Sequence, residues 1–226
     1  MITLHIGNKN YSSWSLRPWV LLSELGVPFE ERMHVFAGGS NREAFREFSP
    51  NGRVPCLYDG EVVVWDSLAI AEYMAERYPA WPQEAHARAW ARSAAAEMHS
   101  GFSALRQQCS MSCGQRVRLH ETGPALIADV ARIDELWREG LQRFGGPFLA
   151  GQRFTAVDAF YAPVAFRIQT YDLAMGAEAA AYAAQLLARP SMQRWYAEAL
   201  AEPWRDTAHE QEIASLGTVT QDLRTG

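Results

Sequence analysis

Ser49-Pro50-Asn51-Gly52-Arg53-Val54-Pro55-Cys56-Leu57-Tyr58-Asp59-Gly60-Glu61-Val62-Val63-Val64-Trp65-Asp66-Ser67 is the stretch from which the fold can be read. Two β-rich runs, residues 54–58 and 62–65, flank Asp59-Gly60, a dipeptide that tolerates the positive φ angles of a tight hairpin. Asp66-Ser67 then caps a helix whose Leu68, Ile70, Ala71 and Met74 recur at helical spacing to about Tyr78. Proline is unusual at the start of a strand because it removes a ladder donor. A cis Val54–Pro55 bond would present the Val54 backbone at an exposed edge, where an extended peptide-like ligand can pair by strand addition. A trans proline at an edge is the alternative, and it is the commoner isomer.

Upstream, Ile2, Leu4 and Ile6 alternate with Thr3 and His5, which predicts a half-buried strand. Leu16, Trp19 and Val20 follow at helical spacing until Gly26 and Pro28 stop the helix. Residues 29–35 predict a second strand, and 41–48 a short helix capped by Asn41. A βαβ unit followed by a ββα unit makes a four-stranded mixed sheet with helices on its faces, in thioredoxin-like order.

Downstream of Pro79-Ala80-Trp81-Pro82 the texture changes. Alanine-rich helices are expected at 83–108, 124–144, 156–171, 177–188 and 191–201, with breaks at Gly114, Gly145-Gly146-Pro147, Gly176 and Pro190. No strand is expected between 83 and 200, and 202–226 reads as a polar tail. The expected organisation is a sheet domain at 1–79, a linker at 80–87 and an all-helical domain at 88–226. Phe154-Thr155-Ala156-Val157-Asp158 is a capping box with a structural role, opening a buried helix.

Composition narrows the function classes. The chain has 226 residues, 48% hydrophobic and 21% charged, which fits a folded globular protein rather than a disordered one. A net charge of −5 without a basic run excludes nucleic acid as the main partner; Lys9 is the one lysine among 21 basic residues. No stretch reaches the ~20 apolar residues of a membrane span, and residues 1–6 are too short and too alternating for a signal-peptide core. Cys56, Cys109 and Cys113 lack zinc-site spacing and are expected as free thiols in a reducing cytoplasm. The six histidines show no ligand spacing, so no metal is expected. G-x-S-x-G, Walker A, G-x-G-x-x-G and C-x-x-C motifs are absent from the sequence.

Two short segments carry chemistry. In Asn10-Tyr11-Ser12-Ser13-Trp14-Ser15-Leu16-Arg17, hydroxyls stand at a helix N-terminus, where a donor and the helix dipole favour a thiolate over a thiol. One pKa unit needs only about 1.4 kcal/mol, within reach of one hydroxyl; a serine-rich cap without chemistry is the competing reading. Asp66-Ser67 can hold an ammonium and a carboxylate, the two charges of an amino-acid headgroup, or can serve as an ordinary N-cap.

In their order and spacing these segments resemble the cytosolic glutathione S-transferases over nearly the whole chain. The Tyr11-to-Arg17 segment is most similar to the zeta and related bacterial serine-type classes. The resemblance implies glutathione as co-substrate, a catalytic serine at Ser12 or Ser13, and a cis-proline at Pro55 with Val54 pairing the cysteinyl backbone. It implies Asp66 and Ser67 around the γ-glutamyl group and Arg53 near the glycine carboxylate. Trp14 stands where zeta enzymes carry a cysteine, and with Met98, Phe102 and Arg106 it would wall the electrophile pocket. The implied protein is a cytoplasmic homodimer for detoxification, whose glutathione thiolate attacks a small electrophile. A glutathione carrier or stress-response scaffold with little turnover, and an isomerase of the maleylacetoacetate type, are the alternatives.

Overall fold

Ile2, Leu4 and Ile6 bury one face of β1 (Ile2–Gly7). α1 (Ser13–Glu24) crosses that face with Leu16 and Val20, and Gly26 follows its end with a φ of +66°. β2 (Phe29–His34) pairs parallel to β1, placing Ile2 opposite Phe29. After α2 (Arg42–Phe45), β3 (Cys56–Asp59) runs antiparallel to β1 with Leu4 opposite Leu57. Gly60, at φ +62°, turns the chain into β4 (Val62–Val64). α3 (Ser67–Ala75) adds Ile70 and Met74 to the same core. The order β2-β1-β3-β4 is the expected mixed sheet. The computed structural model describes residues 1–36, 38 and 40–225.

The second part contains α4 (Ala85–Ser100), α5 (Ser103–Gln108), β5 (Gln115–Leu119), α6 (Pro124–Phe144), α7 (Ala156–Tyr171), α8 (Ala177–Leu187), α9 (Pro190–Ala201), α10 (Thr207–Leu216) and β6 (Gly217–Asp222). The long helix expected over 83–108 is therefore two helices. Gly101 ends α4, and Phe102 takes the left-handed conformation at φ 56° before α5 starts. α4 itself begins inside the stretch 80–87 expected as linker.

The expectation of no strand between 83 and 200 fails at β5, which pairs antiparallel with β6. Val117 and Leu119 do alternate with Arg116 and Arg118, but their partner strand lies in the segment read as a polar tail. Residues 202–225 are ordered. Leu223 donates its N–H to the Gly114 carbonyl at 2.8 Å and Thr225 to the Leu200 carbonyl at 3.0 Å. The C-terminal part is helical with one two-stranded ribbon, rather than purely helical.

α7 is the axis of this part. Ala156, Ala159, Ala162 and Ala165 are buried along it and let α1 and α4 approach closely. Its capping box forms as the sequence suggests: Asp158 accepts the Thr155 N–H at 2.8 Å, and also the Leu149 N–H at 3.0 Å and the Tyr182 hydroxyl at 2.7 Å. Lys9 ties the sheet to the helices. Its side chain is 4% exposed, and its ammonium lies 5.3 Å from the Trp19 ring and 5.6 Å from the Trp195 ring and pairs with Glu31 at 2.7 Å and with Glu198.

Candidate functional site

The loop before α1, the loop before β3 and the helical part enclose a cavity of about 600 Å³, a usual size for a small-molecule site. Ser12, Ser13, Trp14, Arg53 and Val54 line it from the sheet side, and Arg106 and Arg167 from the helical side. Ser12 is the N-cap of α1 and Ser13 its first residue, so both hydroxyls stand at the positive end of the helix. The turn is fixed by the Ser12 N–H on the Asn8 carbonyl at 2.8 Å and the Ser13 N–H on the Tyr11 carbonyl at 2.9 Å.

The two hydroxyls are engaged differently. Ser12 donates to Ser15 Oγ at 2.7 Å, and Ser15 accepts the Gly7 N–H at 3.1 Å. Ser13 Oγ instead accepts a long bond from Arg167 Nη2, 3.4 Å, which leaves its own hydrogen for another acceptor. The Val54–Pro55 peptide is cis, and Val54 lies outside the ladder, which starts at Cys56. Gly52 holds this loop against α2: at φ +65°, a Cβ would come within 2.6 Å of the Arg42 carbonyl oxygen.

Asp66 and Ser67 do not line the cavity. Asp66 caps α3 by accepting the Leu68 N–H at 2.9 Å, and its other oxygen is 3.4 Å from His99 Nε2. His99 in turn meets the edge of Trp14 at 5.3 Å, so Asp66 stands one ring behind the wall. The Ser67 hydroxyl is buried and has no hydrogen-bond partner among the described residues. Met98 and Phe102 leave the predicted pocket altogether. Met98 is fully buried and Phe102 is 7% exposed, both inside the core, because Met98 continues the inward stripe of Ala91, Ala94 and Ala95 on α4. Cys56 is also a core filler, its thiol donating to the Phe48 carbonyl at 3.6 Å. All three cysteines are free and buried.

Trp14 is held between two cations, the Arg17 guanidinium 4.1 Å from its ring centre and that of Arg106 4.8 Å away. Arg17 is 2% exposed, and its Nε and Nη1 have no partner among the described residues. Burial draws the Arg17 pKa well down, and the charges of Arg106 and Arg167 add to the effect. Burial, with Arg106 beside it, lowers Arg167 to about 10. Burial also lowers Arg106, against the opposing pull of Asp129. Guanidinium groups keep their proton at neutral pH, so the helical wall concentrates positive charge around the indole. Such an arrangement is costly alone and favours an anion.

Sequence reasoning missed Arg167, Ser110, Met111, Arg42 and His209, all on the cavity wall. For Arg167 a signal existed: an arginine inside the apolar run of α7 needs a reason to be buried. His209 had none, because its helix was not expected.

A family model described as glutathione S-transferase, N-terminal domain, matches residues 11–77. Dichloromethane dehalogenase of Methylorubrum extorquens is 44% identical over 57 residues, which cover 24% of this chain and 20% of that protein. A zeta-class glutathione S-transferase of Euphorbia esula is 29% identical over 157 residues, 67% of this chain and 70% of its own. Among solved structures, the theta-class glutathione S-transferase of Xanthomonas axonopodis pv. citri with glutathione bound superposes with a TM-score of 0.65 at 26% identity, covering 86% of this chain and 96% of that one. With the mixed sheet, the helical part behind it and the serine-lined cavity between them, these matches support a cytosolic glutathione S-transferase family for the chain, the family model itself matching its N-terminal domain.

Proposed function

We propose that the protein is a glutathione transferase whose bound thiolate attacks a small electrophile. The observation that carries this reading is a single cavity holding both N-terminal hydroxyls of α1 and the Val54 backbone beside its cis-proline. Glutathione lies with its cysteinyl backbone along Val54 and its glycine end toward Arg53, and its γ-glutamyl end extends past the edge of the cavity toward Asp66, whose side chain is 46% exposed, and Ser67. The unpaired buried Ser67 hydroxyl supports that placement, since it needs an acceptor such as a carboxylate.

At the sulfur, Ser13 is the better donor of the two serines. Its oxygen already accepts from Arg167, which polarises the O–H, whereas the Ser12 hydrogen is committed to Ser15. Binding supplies proximity, and the hydroxyl at the helix end supplies a stabilised nucleophile. Charge on the helical wall supports a second reading within the same chemistry: an electrophile bearing a carboxylate, conjugated or isomerised through the thiolate. A symmetric dimer acting in the cytoplasm on reactive small molecules completes the proposal.

Retention on glutathione-agarose and ultraviolet titration of the bound thiolate test it. Wild-type protein is expected to bind and to lower the thiol pKa. Ser13→Ala should raise that pKa by about one unit, equivalent to about 1.4 kcal/mol of lost thiolate stabilisation, with Ser12→Ala shifting it less. Absence of both retention and thiolate absorbance in the wild type would overturn the reading.

A further inference from the structure

α10, the helix hidden in the polar tail, brings an ionisable ring to the cavity. His209 lines its wall with its ring between those of Tyr11, 5.0 Å away and inclined by 23°, and Phe36, 5.5 Å away and inclined by 15°. Its Nδ1 bonds Oδ2 of Asp206, the N-cap of the same helix. Asp206 is 3% exposed and also accepts the backbone N–H of His209 at 3.2 Å and of Gly38 at 3.1 Å.

Burial alone would raise the Asp206 carboxyl, but the hydrogen bonds from His209 and from the backbone hold it below its ordinary value. It is therefore an ionised acceptor, and Nδ1 must carry the hydrogen in the bond between them. The neutral ring then keeps its lone pair on Nε2. Tyr11, which forms one face of this slot, directly precedes Ser12 in the chain, and its hydroxyl is held by Glu210 and Arg224. Two faces and one nitrogen of the imidazole are thus fixed by the protein. The hydrogen bonds of His209 among the described residues run through its backbone N–H and Nδ1, and none through Nε2.

Resting on the glutathione reading above, we propose that His209 is the base that removes the thiol proton, with Asp206 as its positioning residue. The S–H bond breaks with its electron pair left on sulfur, and the proton forms a new bond to Nε2. The sulfur pair then bonds the electrophilic carbon while the leaving group departs with its own pair. The imidazolium passes its proton to that leaving group or to solvent, restoring the neutral ring. The role complements the serine: a hydroxyl stabilises the thiolate by donation, whereas the imidazole takes the proton away. The acids nearest the ring are Asp206 at the N-cap and Glu210 on α10. The bases are Arg224 behind β6 and Arg42, Arg53, Arg106 and Arg167 around the cavity, and Tyr11 faces the ring as a neutral phenol.

The experiment compares pH–rate profiles of the wild type, His209→Phe, His209→Gln and Asp206→Asn with glutathione and a neutral aryl chloride, alongside calorimetric glutathione binding. His209→Phe keeps an aromatic ring in the slot. It should bind glutathione with unchanged affinity, lose the acidic limb of the kcat profile, and turn over about 100-fold more slowly at neutral pH. At high pH, where solvent ionises the thiol, the deficit should close. Asp206→Asn should shift the limb without abolishing it, and His209→Gln serves if the phenylalanine variant does not fold. A wild-type profile in both histidine variants overturns the inference and leaves the transferase reading standing. Loss of rate with an unshifted profile assigns His209 to packing and also overturns it. Wild-type protein that neither binds glutathione nor turns over overturns the transferase reading, and this inference with it.

Discussion

The two walls of the cavity are built from opposite materials. Apart from the solvent-exposed Arg42 and Arg53, the sheet wall offers neutral groups, the hydroxyls of Ser12 and Ser13 and the main chain at Val54, at points where a helix has just begun or a strand has not yet started. The helical wall offers buried charge, Arg106 and Arg167 at the surface of the cavity, to which Arg17 of α1 adds from behind Trp14. Neutral donors at element ends cost little before a ligand arrives, so they suit one constant partner. Buried cations are unfavourable until an anion arrives, so they discriminate between partners. On this view the sheet wall binds the common co-substrate and the helical wall selects the variable one.

The largest effect should come from breaking the frame of the charged wall. α7 carries Arg167, and its start depends on Asp158, which is fully buried and satisfies three donors from Thr155, Leu149 and Tyr182. Asp158→Ala removes the cap and leaves those donors without an acceptor in a dry interior. A loss of about 4 kcal/mol is expected from the sum of cap and unpaired donors, read as a lowered urea midpoint. A loss below about 1 kcal/mol would mean that the helical wall is held from elsewhere and is no preformed unit.

How far each wall could be read from sequence follows the same division. The sheet wall is made of contiguous segments, so Ser12-Ser13 and Val54-Pro55 announce themselves as a helix start and an odd proline, and the βαβ and ββα order follows from local periodicity. Asp66-Ser67 reads as a helix cap or a headgroup site from the same local logic, and Asp66 does cap α3; its contact with His99 of α4 is tertiary and leaves no local trace. The charged wall joins residues from α1, α5 and α7 that only packing brings together, and no local pattern encodes such a meeting. Of the residues proposed for the helical wall, Arg106 stands on it, whereas Met98 and Phe102 went to the core as apolar residues usually do. β5 and β6 were illegible for a related reason. Each has weak alternation alone, and pairing between strands so distant in sequence is decided by tertiary structure.

A smaller effect should separate the walls by substrate. Arg106 lines the cavity, stacks on Trp14 and donates to the Gly101 carbonyl at 2.9 Å and to the Met98 carbonyl. Arg106→Met keeps much of the side chain's volume and its contact with the indole while removing the charge. With an electrophile bearing a carboxylate, kcat/KM should fall about 30-fold, the scale of one charge-assisted hydrogen bond of roughly 2 kcal/mol. With a neutral aryl halide it should change by less than about three-fold, and glutathione affinity should be unaltered. Equal losses on both electrophiles would erase the proposed difference between the walls and make Arg106 a structural clamp.

The smallest effect concerns what supports the sheet wall from behind. His5 on β1 and His34 on β2 share one hydrogen bond, Nδ1 to Nε2 at 2.8 Å, and both rings stack on Phe48, with centroids 4.7 Å and 3.7 Å away. Phe48 in turn packs on Phe45, which lines the cavity. A single bond between two ring nitrogens needs one donor and one acceptor, so a proton on each ring would set two N–H groups against each other. Burial, then His34 and Arg32, lower His5 from 6.5 to about 4 in the folded chain. Burial and Arg32 also lower His34. Because these folded values lie below the unfolded ones, the unfolded chain binds more protons as acid is added. Their stability contribution is complete above about pH 6.5 and is lost as pH falls toward 4, a window in which the arginines of the other wall keep their charge. His5→Phe keeps a stacked ring and removes one titration. Between pH 7 and pH 5 the wild type should lose a few degrees more in melting temperature than the variant does. Parallel losses would show that acid does not reach the sheet wall through this stack, and the two walls would then differ in chemistry but not in their response to pH.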